Sequence, residues 1–177
     1  VGLIPENELA RGAGILLDPV TGGAEVSQHM QTSLPCVFAC GNALQVHDLV
    51  DFVSREAETA GRAAAAYCRG ERENRENSCR TEAGEGIRYV LPQRITRPLE
   101  EKELTLSFRV TSALRNTVIS LQADGKELLR RRKPIVTPGE MQQITLRLPE
   151  LAALQTASRL TIQIESGQDA NGGKEHL

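Results

Sequence analysis

From residue 104 onward the apolar positions recur every second residue. Leu104, Leu106 and Phe108 alternate with polar neighbours, and Ile119 and Leu121 alternate against Val118, Ser120 and Gln122. Ile144, Leu146 and Leu148 form a third such run, and Leu160, Ile162 and Ile164 a fourth. A period of two puts one face of a strand into a core and the other into solvent. Turn residues separate the runs: Arg115-Asn116, Asp124-Gly125, Pro138-Gly139 and the stretch Gln168 to Gly173. Asp124-Gly125 is the sharpest signal, because a two-residue type I′ hairpin needs positive φ at both central positions. Six or seven short strands in a small immunoglobulin-like β-sandwich are expected, with one short helical turn within Pro149 to Ala157.

The first third follows other rules. Val37 to Cys40 is a continuous apolar run, the pattern of a strand buried on both faces. Gly41-Asn42 ends it. Leu49, Val50, Phe52 and Val53 then fall at helical spacing, and Ala57, Ala60, Gly61, Ala64 and Ala65 continue a small-residue stripe. Asp48 is the expected N-cap, and the helix should run to about Tyr67 and end near Gly70. Between the two patterns lies Arg69 to Gly86, almost entirely charged or small, which reads as a linker or long surface loop.

Composition narrows the function classes. The 177 residues are 40% hydrophobic and carry 21 basic against 23 acidic residues, a net charge of −2. That balance recommends neither nucleic acid nor a membrane surface as a partner. Lys126 to Lys133 is locally basic, but with aromatics at 3% it reads better as an edge strand guarded by charge. No apolar run approaches the roughly 18 residues that cross a bilayer. The opening Val1-Gly-Leu-Ile-Pro5 lacks an initiator Met and a signal-peptide pattern; it reads as the start of a piece of a longer chain, a processed start being the other reading. Cys36, Cys40, Cys68 and Cys79 form no Cys-x-x-Cys pair, which suits a reducing, cytoplasmic setting. With His47, Cys36 and Cys40 have the wrong spacing for zinc, so no metal site is expected and both thiols read as buried on a core strand. His29 reads as a loop residue, while His47 is open between a loop role and approach to a ligand.

The chemistry concentrates where the apolar run meets the helix. A buried strand delivers the chain to the edge of a sheet where α/β proteins bind ligands. Gly41 allows close backbone approach, Asn42 both donates and accepts hydrogen bonds, and the helix start presents free N–H groups with a positive dipole end. The segment Thr32 to Asn42, with Thr32, Pro35, the apolar run and Gly41-Asn42, is similar to the second flavin-binding motif of the pyridine nucleotide-disulfide oxidoreductase family. Val1 to Asn7, Gly14 to Asp18 and Thr21-Gly-Gly23 match the stretch that precedes that motif, so the resemblance covers roughly residues 1 to 67. Two positions depart from the pattern: Asn42 stands for the usual Asp and Cys36 for the usual Gly after Pro35. The resemblance implies that Asn42 bonds the ribityl chain of FAD and that backbone N–H groups near Leu49 and Val50 face the flavin pyrimidine edge.

On this basis Gly41, Asn42, Asp48, Leu49 and Val50 are the expected cofactor-binding residues, with FAD as cofactor and NAD(P) as a second candidate; no catalytic residue is identified. The expected fold class is α+β: residues 1–68 the C-terminal remnant of an FAD/NAD(P)-binding α/β domain, 69–86 a linker, 87–166 the immunoglobulin-like β-sandwich and 167–177 a flexible tail. The expected function is the C-terminal fragment of an FAD-dependent oxidoreductase. The alternative is a β-sandwich interaction module that docks a partner subunit. Gly12-Ala-Gly14 is no phosphate-binding Gly-x-Gly-x-x-Gly, so the fragment alone should bind flavin weakly or not at all. The expected partners are the missing N-terminal FAD-binding region or a partner subunit, with a homo-oligomer also open.

Overall fold

A computed structural model describes residues 5–166, so the tail 167–177 and its Gln168 to Gly173 turn lie outside the described residues. The elements in chain order are α1 (Glu8–Gly12), a 3-10 turn (Gly41–Ala43), α2 (Val50–Cys68), β1 (Ser78–Ala83), β2 (Ile87–Leu91), β3 (Arg94–Thr96), β4 (Leu104–Val110), β5 (Leu114–Ala123), β6 (Lys126–Val136), β7 (Gln142–Leu146), α3 (Leu148–Leu154) and β8 (Arg159–Ser166). The chain is mixed α+β, with a five-stranded sheet ordered β3-β1-β8-β5-β6 and a three-stranded sheet ordered β2-β4-β7. All pairings are antiparallel except β1 with β8.

The period-two runs supply the core between the sheets. Leu106, Phe108, Ile119, Leu121, Ile144, Leu146, Leu160 and Ile162 are all within 1% of complete burial, and Leu151 and Leu154 of α3 close one side. Removing that apolar surface from water is the main stabilising contribution, about 25 cal/mol per Å². Asp124 and Gly125 take φ of 47° and 82° and join β5 to β6 as the two-residue hairpin expected of them. β6 lies at the sheet edge, and its run of arginines is mostly exposed.

Four departures from the sequence reading lie in the strands and their flanking segments. First, Ser78–Ala83 lies inside the stretch read as a linker and is a strand. Its inward residues, Cys79 and Thr81, are small, and β8 and β3 pair with it on either side. Second, Arg115-Asn116 does not separate strands but sits within β5; Asn116 keeps a positive φ of 50° there. Third, Leu148 opens α3 rather than closing β7, because Pro149 and Glu150 start a helix, with Glu150 accepting from the Arg147 N–H at 2.9 Å.

The fourth concerns Val37 to Cys40, which is extended but half-buried, with one isolated bridge between Phe38 and Gln31. No strand lies along its other edge among the described residues, so no ladder forms. Cys36 is accordingly exposed and Cys40 half-buried, against the expectation of two core thiols. Apart from α1 and the 3-10 turn, residues 5–49 instead wind as loops around a small core of Ile15, Ala24, Val26 and Leu44, which is completed by Tyr89 and Leu91 of β2.

Candidate functional site

The turn that ends the apolar segment is built by a glycine and held by a histidine. Gly41 has φ of 66°, and a Cβ on it would stand 3.1 Å from Val53 Cγ1. Its N–H donates to Glu56 Oε2 at 2.8 Å. The other oxygen of Glu56 meets His47 Nε2 at 2.9 Å, and His47 Nδ1 faces the Gln45 carbonyl at 3.0 Å. The His47 side chain is 1% exposed. It therefore fastens α2 to the 3-10 turn from inside and is not presented to a ligand.

Asn42 is exposed. Its Oδ1 accepts the His47 backbone N–H at 3.3 Å, a bond in which the amide nitrogen takes no part. Leu49 is the N-cap residue of α2 in extended conformation, and no side chain caps the helix. Leu49 and Val50 are 57% and 74% exposed, so the helix start opens to solvent. Gln45 is 1% exposed, and neither polar atom of its side chain has a partner.

Asp48 is not the N-cap. Its Oδ2 accepts the Met141 N–H at 2.6 Å and its Oδ1 accepts from Arg109. Desolvation is the largest single influence and pushes the carboxyl up; the Met141 amide and the Arg109 guanidinium together outweigh it and hold Asp48 below the usual range. Arg109 is 9% exposed and spends its donors on Tyr89 Oη (3.0 Å), Pro138 O (3.2 Å), Val46 O (3.0 Å) and Asp48. Sequence reasoning missed Arg109 and Glu56. Arg109 took the solvent-facing place in the β4 alternation, yet residues 106 to 110 are buried on both faces, and only a charge flanked by Phe108 and Val110 hinted at an internal partner.

Of the five expected residues, Gly41, Asn42, Leu49 and Val50 fall within one continuous turn and helix start, while Asp48 faces the sheets behind it. Gly12 and Gly14 flank the carboxyl end of α1, where carbonyls rather than N–H groups are left free, so they offer a phosphate nothing. The four cysteines are unpaired, and the described residues contain no group of three or more His, Cys, Asp or Glu placed to hold a metal. Among the described residues no helix is long and apolar enough to cross a membrane. A cavity of about 640 Å3 opens elsewhere, with Phe38, Tyr67, Glu73, Arg97 and Glu101 in its walls, and none of the five residues lines it.

The chain is 35% identical to putidaredoxin reductase of Pseudomonas putida over 75 residues, 38% of this chain. The match spans 17% of that protein's length. No family model matches the chain, and no solved structure does. The similarity is that of a distant relationship to a flavoprotein oxidoreductase.

Proposed function

We propose that this chain is the C-terminal part of an FAD-dependent oxidoreductase and supplies the segment facing the flavin's ribityl chain and ring. The carrying observation is the open, uncapped start of α2 at Leu49 and Val50, a few residues past Gly41 and exposed Asn42. These residues fit the ribityl and ring portion of the cofactor: an amide side chain for hydroxyls, a turn without a Cβ, and N–H groups with a positive dipole end for a ring oxygen that gains charge on reduction. Among the described residues the phosphates have no counterpart cradle. The bound flavin would supply electron and hydride transfer; the chain's residues would bind and orient it. NAD(P)H, an amine or an alcohol would be the hydride partner of the complete protein, in a cytoplasmic setting that accords with four unpaired thiols.

The proposed units are residues 1–68 as the cofactor-domain remnant and the two-sheet unit from β1 to β8, which begins at Ser78 rather than at residue 87, as an immunoglobulin-like module. A second reading makes that module a docking site for a partner subunit or a second copy, favoured by the edge strand β6 with its exposed Arg131 and Arg132. The test of the first reading is flavin content. The chain mixed with excess FAD should retain little or none after gel filtration. The longer reading frame that contains it should purify with flavin absorption bands. A flavin-free longer protein sinks the flavin reading, and a stoichiometric complex of the chain alone sinks the fragment reading.

A further inference from the structure

We infer that Arg109 is a positioning residue for the flavin-facing start of α2, so that the two-sheet unit is a working part of the cofactor site. The inference rests on the flavin reading proposed above. Arg109 lies on β4, in the three-stranded sheet, 61 residues from Asp48. Its four contacts reach three separate places: Tyr89 on β2, Pro138 in the β6–β7 connection, and Val46 and Asp48 just before α2. The Met141 amide adds a second clamp on Asp48 from the same connection. Asp48 immediately precedes the N-cap Leu49, so its fixation sets where the first free N–H groups of α2 stand. Glu56 of α2 ties the helix body to Gly41 and His47, but no side chain caps the helix start itself, so the position of Asp48 and Leu49 is left to Arg109 and Met141.

The planar guanidinium makes this a directional anchor. Its donors leave in fixed directions and meet a phenol oxygen, two carbonyls and a carboxylate at once. A lysine supplies the charge but cannot span the same acceptors. If the helix start shifts, the flavin ring loses the dipole end that stabilises its reduced form, and the protein should bind FAD less tightly and hold it at a more negative potential.

The experiment uses the complete flavoprotein that carries this chain, purified with its cofactor. Arg109→Met, Arg109→Lys and Asp48→Asn are compared with Leu160→Ala, a cavity variant deep in the core of β8. FAD affinity, midpoint potential and Tm are measured for each. Arg109→Met should weaken FAD binding roughly tenfold or more and lower the potential, with Asp48→Asn milder and Arg109→Lys in between. Leu160→Ala should lower Tm while leaving affinity and potential near wild type. Wild-type flavin properties in a folded Arg109→Met or Asp48→Asn protein overturn the inference. So does an equal flavin defect in Leu160→Ala, which would mark a general loss of stability. A wild-type protein without FAD overturns the flavin reading and this inference together, and it is told apart because it needs no variant.

Discussion

Cys36 occupies a backbone position made for glycine. The turn Leu34–Val37 is closed by the Val37 N–H donating to the Leu34 carbonyl at 3.4 Å, with Pro35 second and Cys36 third at φ of 63°. A Pro followed by a positive φ is the type II pattern, which favours Gly in the third place. A side chain in that region costs about 1 kcal/mol or more, and Gly gives part of it back as unfolded-chain entropy. Since Cys36 is exposed and packs little, Cys36→Gly should stabilise by about 0.5 kcal/mol, read as a higher urea midpoint; a lower midpoint contradicts this account of the turn. The four thiols should also separate by reactivity. Cys79 is fully buried, and burial pushes its thiol up to about 11; Cys40 is raised by burial and by the charge of Glu56. Cys36 and Cys68 should label first with an alkylating reagent, Cys40 later, and Cys79 only on unfolding. Peptide mapping that finds Cys79 modified in folded protein refutes the burial assigned to β1.

At the scale of elements, the 3-10 turn leans on a second glycine turn. A Cβ on Gly23 would stand 1.9 Å from the Leu44 carbonyl oxygen, and Asn7 ties the same two strips of backbone by donating to Gly22 O at 3.0 Å and Ala43 O at 2.8 Å. Backbone cannot swing aside as a side chain does, so Gly23→Ala should cost about 3 kcal/mol and push the Gly41-Asn42 turn out of place. Gly22 has φ of 71° but open space around it, so Gly22→Ala should cost only about 1 kcal/mol. Urea unfolding of both variants checks the order, and a reversed order removes the close approach as the reason. Thr21-Gly-Gly23 stood out in the sequence as part of the stretch that precedes the motif; which glycine is indispensable was not legible, because Leu44 approaches from outside the turn. The same division runs through the chain. β5, β7, β8 and α2 were legible because their burial is one-sided and local spacing records it, and β4 because Leu104, Leu106 and Phe108 still alternate with polar residues although its second half is buried on both faces. β1 was hidden because its inward Cys79 and Thr81 are small among charges, and Val37 to Cys40 misled because an apolar run shows a wish for burial, not a partner. Gly41, Asn42 and the helix start were legible as a local motif. Arg109 was not, since its acceptors come from loops far along the chain.

At the scale of the molecule, the first third and the sheets are joined by polar bonds as much as by apolar contact, and two carboxyls in those joints should shape the pH dependence of stability in opposite ways. The buried Gln28 side chain pairs with both backbone groups of Thr96, at 2.9 and 2.8 Å, and Gln93 Oε1 accepts the Val26 N–H at 3.0 Å. Beside them Ser27 Oγ donates to Glu73 at 2.7 Å, and Asp48 meets Arg109 and Met141. Burial, with the charge of Glu101 adding to it, raises Glu73 above its ordinary 4.5 despite the bond from Ser27. The folded state therefore holds that proton more tightly than the unfolded chain, so the stabilisation is complete below 4.5 and is lost as pH climbs through the folded value. Asp48 is held below its ordinary 3.8. Its contribution is present above 3.8 and is lost as pH falls through the lower folded value. Urea midpoints measured from pH 3 to pH 8 should thus rise on leaving the acid end and sag again above 4.5. Glu73→Gln keeps an acceptor for Ser27 and removes the titration, so its midpoint should gain on wild type steadily as pH increases past 4.5. Asp48→Asn should lose to wild type at neutral pH and converge with it toward pH 3. A Glu73→Gln curve parallel to wild type across the whole range would falsify the placement of that carboxyl in a desolvated joint, and a constant Asp48→Asn deficit would reduce the Asp48–Arg109 contact to shape alone.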